Sequence, residues 1–211
     1  MKVCEIFSSI QGESSYAGLP CTFVRLTGCN LRCIYCDTRY AYEEGNDMSI
    51  DEILQAVKNH DIKIVEITGG EPLSQKETPI LIKILCDEGF FVLLETNGSF
   101  SIKDIDRRAV IIMDIKTPSS MMSETLLKEN LNYIKEKDEI KFVLMNKDDY
   151  EWAKHCIKEE GLLNKCNVLL SPAFGILSPK DLSRWIVEDR LNVKLNLQIH
   201  KYIYDPTLRG V

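Results

Sequence analysis

Seven short runs of β-branched and apolar residues recur along the chain, at CTFVRLT (21–27), IKIVEI (62–67), FFVLLE (90–95), VIIMDI (110–115), EIKFVL (139–144), NVLL (167–170) and VKLNLQI (193–199). Each reads as a buried strand. Between most of them lie helical patterns: Ile50, Ile53, Leu54 and Val57; Ile80, Leu81, Ile84 and Leu85; Leu126, Leu127, Leu131 and Ile134; then 148–160 and 179–189. Ser49 and Glu52 are spaced as a capping box at the start of the first helix. Strand alternating with helix predicts a parallel sheet, because parallel neighbours need a crossover of a dozen residues or so. The expected fold is α/β, a closed or nearly closed barrel.

The remaining features bound the chain's class. Its 211 residues, 45% of them hydrophobic, suffice for one core, and no linker, repeat or low-complexity tract divides them, so a single domain over 1–211 is expected. The opening MKVCEIFSSIQGE lacks a basic n-region followed by a long apolar run, and no stretch approaches the ~18 apolar residues of a membrane span, so a cytoplasmic protein is expected. A net charge of −6 with scattered lysines argues against broad nucleic-acid or membrane binding. In a reducing compartment the eight cysteines are not expected to form disulfides. Cys21 and Cys86 sit in apolar patterns and read as core, and Cys156 and Cys166, ten residues apart, read as structural.

Read to its carboxyl end, every strand finishes in polar groups and glycines: TGCNLRCIYCDT, TGGEP, ETNG, DIKTP, MNKDD, SPAFG and QIHK. In an α/β barrel those ends converge on one face, where the site lies. The first of them opens the longest irregular segment, and its loop 29–38 carries Cys29, Cys33 and Cys36. A closed zinc site wants four ligands. Here only three thiols stand together, with His60, His155 and His200 the only histidines. Three soft thiolates with an open corner suit an iron-sulfur cluster, a zinc site completed from a distance being the alternative.

At this point the chain resembles the radical S-adenosylmethionine (SAM) enzymes, whose signature Cys-x3-Cys-x-aromatic-Cys is matched by Cys29, Cys33, Tyr35 and Cys36, and whose second motif is matched by TGGEP at 68–72. The resemblance implies a partial (β/α)6-type TIM barrel and a 4Fe-4S cluster chelating S-adenosyl-L-methionine, which one-electron reduction cleaves to a 5'-deoxyadenosyl radical. Gly69 and Gly70 then let backbone approach the methionine amino group, and Glu71 can accept from that ammonium. Tyr35 would place its ring or backbone against adenine, Cys36 and Asp37 would be further cofactor contacts, and Gly98 lets the third strand end approach the cofactor. Further cofactor contacts align with Met145, Asn146 and Lys147 and with Ser171, Pro172, Ala173 and Phe174, Lys116 being an alternative from the fourth strand end.

FSSIQGESSYAGLPCTFVRLTGCNLRCIYCDT, with TGGEP, ETNG and QIHKYI, is similar nearly end to end to the 7-carboxy-7-deazaguanine synthase family of that superfamily. The similarity implies a lyase that converts 6-carboxy-5,6,7,8-tetrahydropterin to 7-carboxy-7-deazaguanine with loss of ammonia. Gln11 and Glu13 would read the heterocycle, with Ile10 and Gly12 in contact, Arg25 would fork onto the carboxylate, and Thr96 and His200 would add a hydroxyl and an imidazole. Thr38 matches a magnesium-binding threonine. It also implies a homodimer and a flavodoxin or ferredoxin as electron donor. Related chains tend to end about six residues after the matching histidine, whereas here DPTLRGV runs on beyond Pro206, which occupies the matching position. The rival readings are a glycyl-radical-enzyme activating enzyme, which has no use for Arg25 with SIQGE, and a non-enzymatic iron-sulfur or zinc module, which would leave the strand-end motifs idle.

Overall fold

Strand pairing confirms the parallel sheet and adds what the apolar runs did not reveal. The computed structural model describes all 211 residues. It contains strands β1 (Lys2–Ile10), β2 (Pro20–Leu26), β3 (Asn46–Asp47), β4 (Ile64–Gly69), β5 (Phe91–Thr96), β6 (Val110–Asp114), β7 (Glu139–Leu144), β8 (Asn167–Pro172) and β9 (Lys194–Leu195). Helices α1 (Ile50–Asn59), α2 (Thr78–Asp87), α3 (Lys147–Glu159), α4 (Pro179–Glu188) and α5 (His200–Ile203) complete it. The sheet order is β3-β1-β2-β4-β5-β6-β7-β8-β9, parallel from β2 through β9. β1 and β3 add antiparallel strands at one edge.

Within the parallel strands the side chains alternate with period two. One set, including Val24, Ile67, Leu94, Met113, Phe142 and Leu170, joins Ile53, Leu81, Ile157 and Leu182 of the helices in one 33-residue core. The other set points into the barrel, where Leu93, Val110 and Ile112 form a small apolar plug against Tyr16 and Ile64. Above that plug the inward positions turn polar. Ser49 and Glu52 do form the capping box of α1. Cys21, Cys86 and Cys166 are buried, as a core or structural reading requires.

The barrel closes without a continuous ladder. Residues 11–15, on the loop from β1 to β2, meet the 194–200 segment: Ile199 N donates to Gly12 O at 2.9 Å, Gln198 Nε2 to Glu13 Oε1 at 2.8 Å and Lys194 Nζ to Ser15 Oγ at 2.6 Å.

Three expectations change. β1 was not anticipated. The 193–199 run pairs only at Lys194–Leu195, since beyond it the chain turns to make that seam. The helix expected at 126–134 is absent: the β6–β7 crossover forms short 3-10 turns at Ser123–Thr125 and Lys128–Asn132. Buried Asn130 explains it, for its side chain donates to Gly98 O at 2.9 Å and Phe100 O at 2.8 Å and accepts from Ile102 N at 3.0 Å. Those bonds tie the segment to the ETNG loop in place of a helical ladder.

Candidate active site

The strand ends and the closing seam enclose one cavity of about 420 Å³, a size suited to a small ligand with a cofactor. Cys29, Cys33 and Cys36 all line it. Two arginines shape their loop. Arg32 Nη1 donates to Cys29 O at 2.8 Å and Leu31 O at 2.7 Å while its guanidinium lies 4.2 Å over the Tyr42 ring, and Arg39 Nη2 donates to Ile34 O at 2.6 Å. Burial pushes the Cys29 and Cys33 thiols above their ordinary pKa, and Lys116 pulls both back. Lys116 is itself buried, yet Asp114, 2.8 Å away, together with Tyr35 and Cys33, keeps it an ammonium.

TGGEP follows β4 directly beneath this loop. Gly70 N donates to Leu26 O at 3.1 Å and Glu71 N to Gly28 O at 2.7 Å, so the second motif is bonded to the exit of the first. A Cβ on Gly70 would lie 2.2 Å from Gly28 O and 2.9 Å from Cys29 Cβ, so only glycine permits that approach. Glu71 does not face the cavity. It is fully buried and accepts from Leu73 N at 2.9 Å, Thr96 Oγ1 at 2.8 Å and Asn97 N at 2.7 Å, holding the ends of β4 and β5 together.

The opposite wall carries the residues expected to read a heterocycle. Ile10, Gln11, Gly12, Glu13, Arg25, Thr96, His200 and Pro206 all line the cavity. Arg25 donates Nε to Glu5 at 2.7 Å, between the rings of Phe7 and Tyr40, and its two Nη groups make no hydrogen bond within the protein. His200 packs so closely on Gly12 that a Cβ there would lie 1.9 Å from its Nδ1. Burial lowers the His200 pKa, with Glu13 opposing. Asp37 and Thr38 stand between the walls: Thr38 Oγ1 donates to Asp37 Oδ1 at 2.9 Å, and Asp37 also pairs with Lys201. Burial disfavours the Asp37 charge, but Lys201 and three hydrogen bonds hold its carboxyl well below the usual range.

This geometry has relatives. The radical SAM superfamily model matches residues 23–159. A 7-carboxy-7-deazaguanine synthase from Chlorobaculum tepidum is 48% identical, covering 100% of this chain and 97% of its own. Another from Koribacter versatilis is 43% identical over 100% of both. The chain belongs to the 7-carboxy-7-deazaguanine synthase family of radical SAM enzymes. The fold of the crystal structure of QueE from Escherichia coli agrees, with a TM-score of 0.77 over 94% of each chain at 24% identity.

The residues present fit the groups that a radical SAM enzyme carries. Three thiols with no fourth protein ligand beside them form the donor set, and Lys116 sets a positive charge next to it. Two buried polar atoms, Tyr35 Oη and Asp114 Oδ1, have no partner within the protein, as expected where a polar ligand completes the site. Ser171, Pro172, Ala173 and Phe174 line the cavity, but Gly98, Met145, Asn146 and Lys147 do not. Asn146 caps α3 by accepting from Asp149 N, Met145 N donates to Asp149, and Lys147 lies over Tyr150 and Trp185. Gly98 O takes bonds from Leu127 N and Asn130 behind the cavity.

Glu66, Glu95 and Lys141 were not anticipated, and they form the cavity floor with Glu13 and Asp114. Lys141 Nζ lies 2.9 Å from Glu13 Oε2, touches Glu95, and is 3.8 Å from Asp114 Oδ2. The signal was available: Glu66 and Glu95 are each the one charge of an apolar strand, the same anomaly that marked Arg25, and Lys141 follows Glu139 in another.

Proposed function

We propose that this protein converts 6-carboxy-5,6,7,8-tetrahydropterin to 7-carboxy-7-deazaguanine with release of ammonia, a step toward queuosine and related 7-deazapurines. The observation that carries the reading is the meeting, in one cavity, of the three-thiol wall with the free Nη groups of Arg25 and the polar ends of Gln11, Glu13 and His200. Cys29, Cys33 and Cys36 would hold the cluster. Bound there with S-adenosyl-L-methionine, it supplies the one-electron chemistry that initiates turnover. This chain's residues do the rest. Arg25 offers a planar fork to the pterin carboxylate, Gln11 and Glu13 face the heterocycle, and the Gly70 turn keeps the cofactor wall in register with the triad.

Magnesium belongs to the same reading. Thr38 lines the cavity, and its hydroxyl, bonded to Asp37, makes no capping bond to the turn after it, and a magnesium ion needs only one or two protein ligands where substrate oxygens and water complete its octahedron. A flavodoxin or ferredoxin as reductant and a homodimeric assembly complete the proposal. No helix is long and apolar enough to cross a membrane. The test is anaerobic reconstitution with iron and sulfide, then incubation with the pterin, S-adenosyl-L-methionine and reductant. Formation of 7-carboxy-7-deazaguanine with matching ammonia is expected, and cofactor cleavage that never depends on the pterin would sink the assignment.

A further inference from the structure

The cavity floor distributes its cations unevenly. Lys141 serves Glu13, Glu95 and Asp114, while Lys116 pairs with Asp114. Glu66 projects from β4 into the same space, 4% exposed, and no cation lies within ion-pair distance of it. Its one hydrogen-bond partner is the side-chain amide of Gln11. A carboxylate buried with a single neutral donor is costly, and such a group takes up a proton instead.

Geometry also says where that proton sits. Glu13 N donates to Gln11 Oε1 at 2.9 Å, which turns Gln11 Nε2 toward Glu66 Oε2. Glu66 Oε2 is therefore an acceptor, so the acidic hydrogen belongs on Oε1, which has no partner in the protein and opens onto the cavity. The groups facing Glu66 agree. Burial and the charges of Glu95 and Glu13 outweigh the attraction of Lys141 and Arg25 and push its pKa well above the carboxylate range, while the neighbouring Cys21 is a buried thiol whose pKa is also raised. Burial disfavours the Glu13 charge too, but Lys141 and the hydrogen bond from Gln198 more than offset it and hold that carboxyl below its ordinary value. Gln11 thus links the Glu66 carboxyl to the backbone N–H of Glu13, and the two side-chain carboxyls are kept in opposite protonation states, the arrangement that separates an acid from a base.

Ammonia release requires that separation. A C–H bond next to the departing amine gives its proton to a base, its electron pair becomes a ring double bond, the C–N bond breaks with its pair on nitrogen, and an acid supplies the proton that completes ammonia. We propose that Glu66 is the acid that protonates the departing nitrogen and that Glu13 is the carboxylate that takes the carbon-bound proton. No oxidant or reductant enters this step, and solvent resets the pair once product leaves. The assignment rests on the functional reading above.

Glu66→Gln tests it, because glutamine keeps the volume and the bond from Gln11 but has no acidic proton. In reconstituted holoenzyme, ammonia release is expected to fall on the order of 10² to 10⁴-fold while pterin affinity changes less than about threefold. Glu66→Asp, which retains an acid one methylene shorter, should keep more activity. In the protein as purified, infrared difference spectra at neutral pH should show the carbonyl stretch of a protonated carboxyl in wild type and not in Glu66→Gln. Ammonia release by Glu66→Gln at the wild-type rate overturns the assignment, and so does absence of that band from wild type. Wild-type enzyme that releases no ammonia from the pterin overturns the functional reading, and the role with it.

Discussion

Replacing Lys141 by Met keeps most of the side chain's volume and removes only its charge. The ammonium is 4% exposed, against 20% for Glu13 and 11% for Asp114. At 2.9 Å and an effective dielectric of 20 its attraction to Glu13 is about 6 kcal/mol, and at 3.8 Å to Asp114 about 4 kcal/mol. Desolvation of all three groups cancels much of that gross attraction, and the cost of stranding carboxylates is what remains, about 3–5 kcal/mol. The loss should depend on pH. In wild type the Glu13 pKa lies below its unfolded value, so its contribution is complete above that value, about 4.3, and disappears only as the pH falls through the lower folded one. Without Lys141 only the hydrogen bond from Gln198 opposes burial, the folded pKa moves above the unfolded value, and the variant loses stability as pH rises. The gap between the two proteins should therefore be widest near pH 8 and narrow steadily toward about pH 5. Urea unfolding of both proteins at those two pH values measures it. A gap below about 1 kcal/mol near pH 8, or one that does not change with pH, would refute a dry, charge-paired floor.

Gly70→Ala should fold with a displaced triad, because its methyl must push Gly28 O or Cys29 Cβ aside; iron retained after anaerobic reconstitution is expected to drop well below wild type, and full retention would show that the turn yields. Arg25→Ala should raise the KM for the pterin by an amount worth on the order of 2–5 kcal/mol, with cofactor cleavage in the absence of pterin little changed. Equal damage to both would show that Arg25 serves only to hold Glu5. Thr38→Ala should mimic chelation of magnesium, lowering turnover and flattening its response to added ion, whereas Thr38→Ser should stay close to wild type; identical magnesium dependence in wild type and Thr38→Ala would remove Thr38 as a ligand.

Much of this molecule was legible because period and punctuation agree. Each apolar run is strand-length, each ends in glycine or polar residues, and Ser49 with Glu52 announces α1. What failed did so for identifiable reasons. Leu126, Leu127, Leu131 and Ile134 have helical spacing, but one buried side chain, Asn130, satisfies three backbone groups and draws the crossover into tight turns, a tertiary effect that no local pattern encodes. Glu71 was expected at the cofactor because TGGEP matches the superfamily's second motif beside the cysteine triad; in the fold its oxygens are taken by Leu73, Thr96 and Asn97. Glu66 and Lys141 sit on the inward face three residues before their strands end, upstream of the polar strand-end motifs.

The seam that closes the barrel has a consequence for the order in which the protein is made. Gln198 and Glu13 are separated by 185 residues, and His200 reaches Gly12 across the same gap. A chain emerging from the ribosome therefore presents all three cysteines, and the glycine turn that packs on them, while the residues from 194 to 200 are still unmade. The metal-binding half of the cavity can assemble early on local contacts, whereas the half that recognises the pterin is completed last, when the late-synthesised segment returns to the beginning. The cysteines are thus available first, and substrate recognition waits for residues 194 to 200.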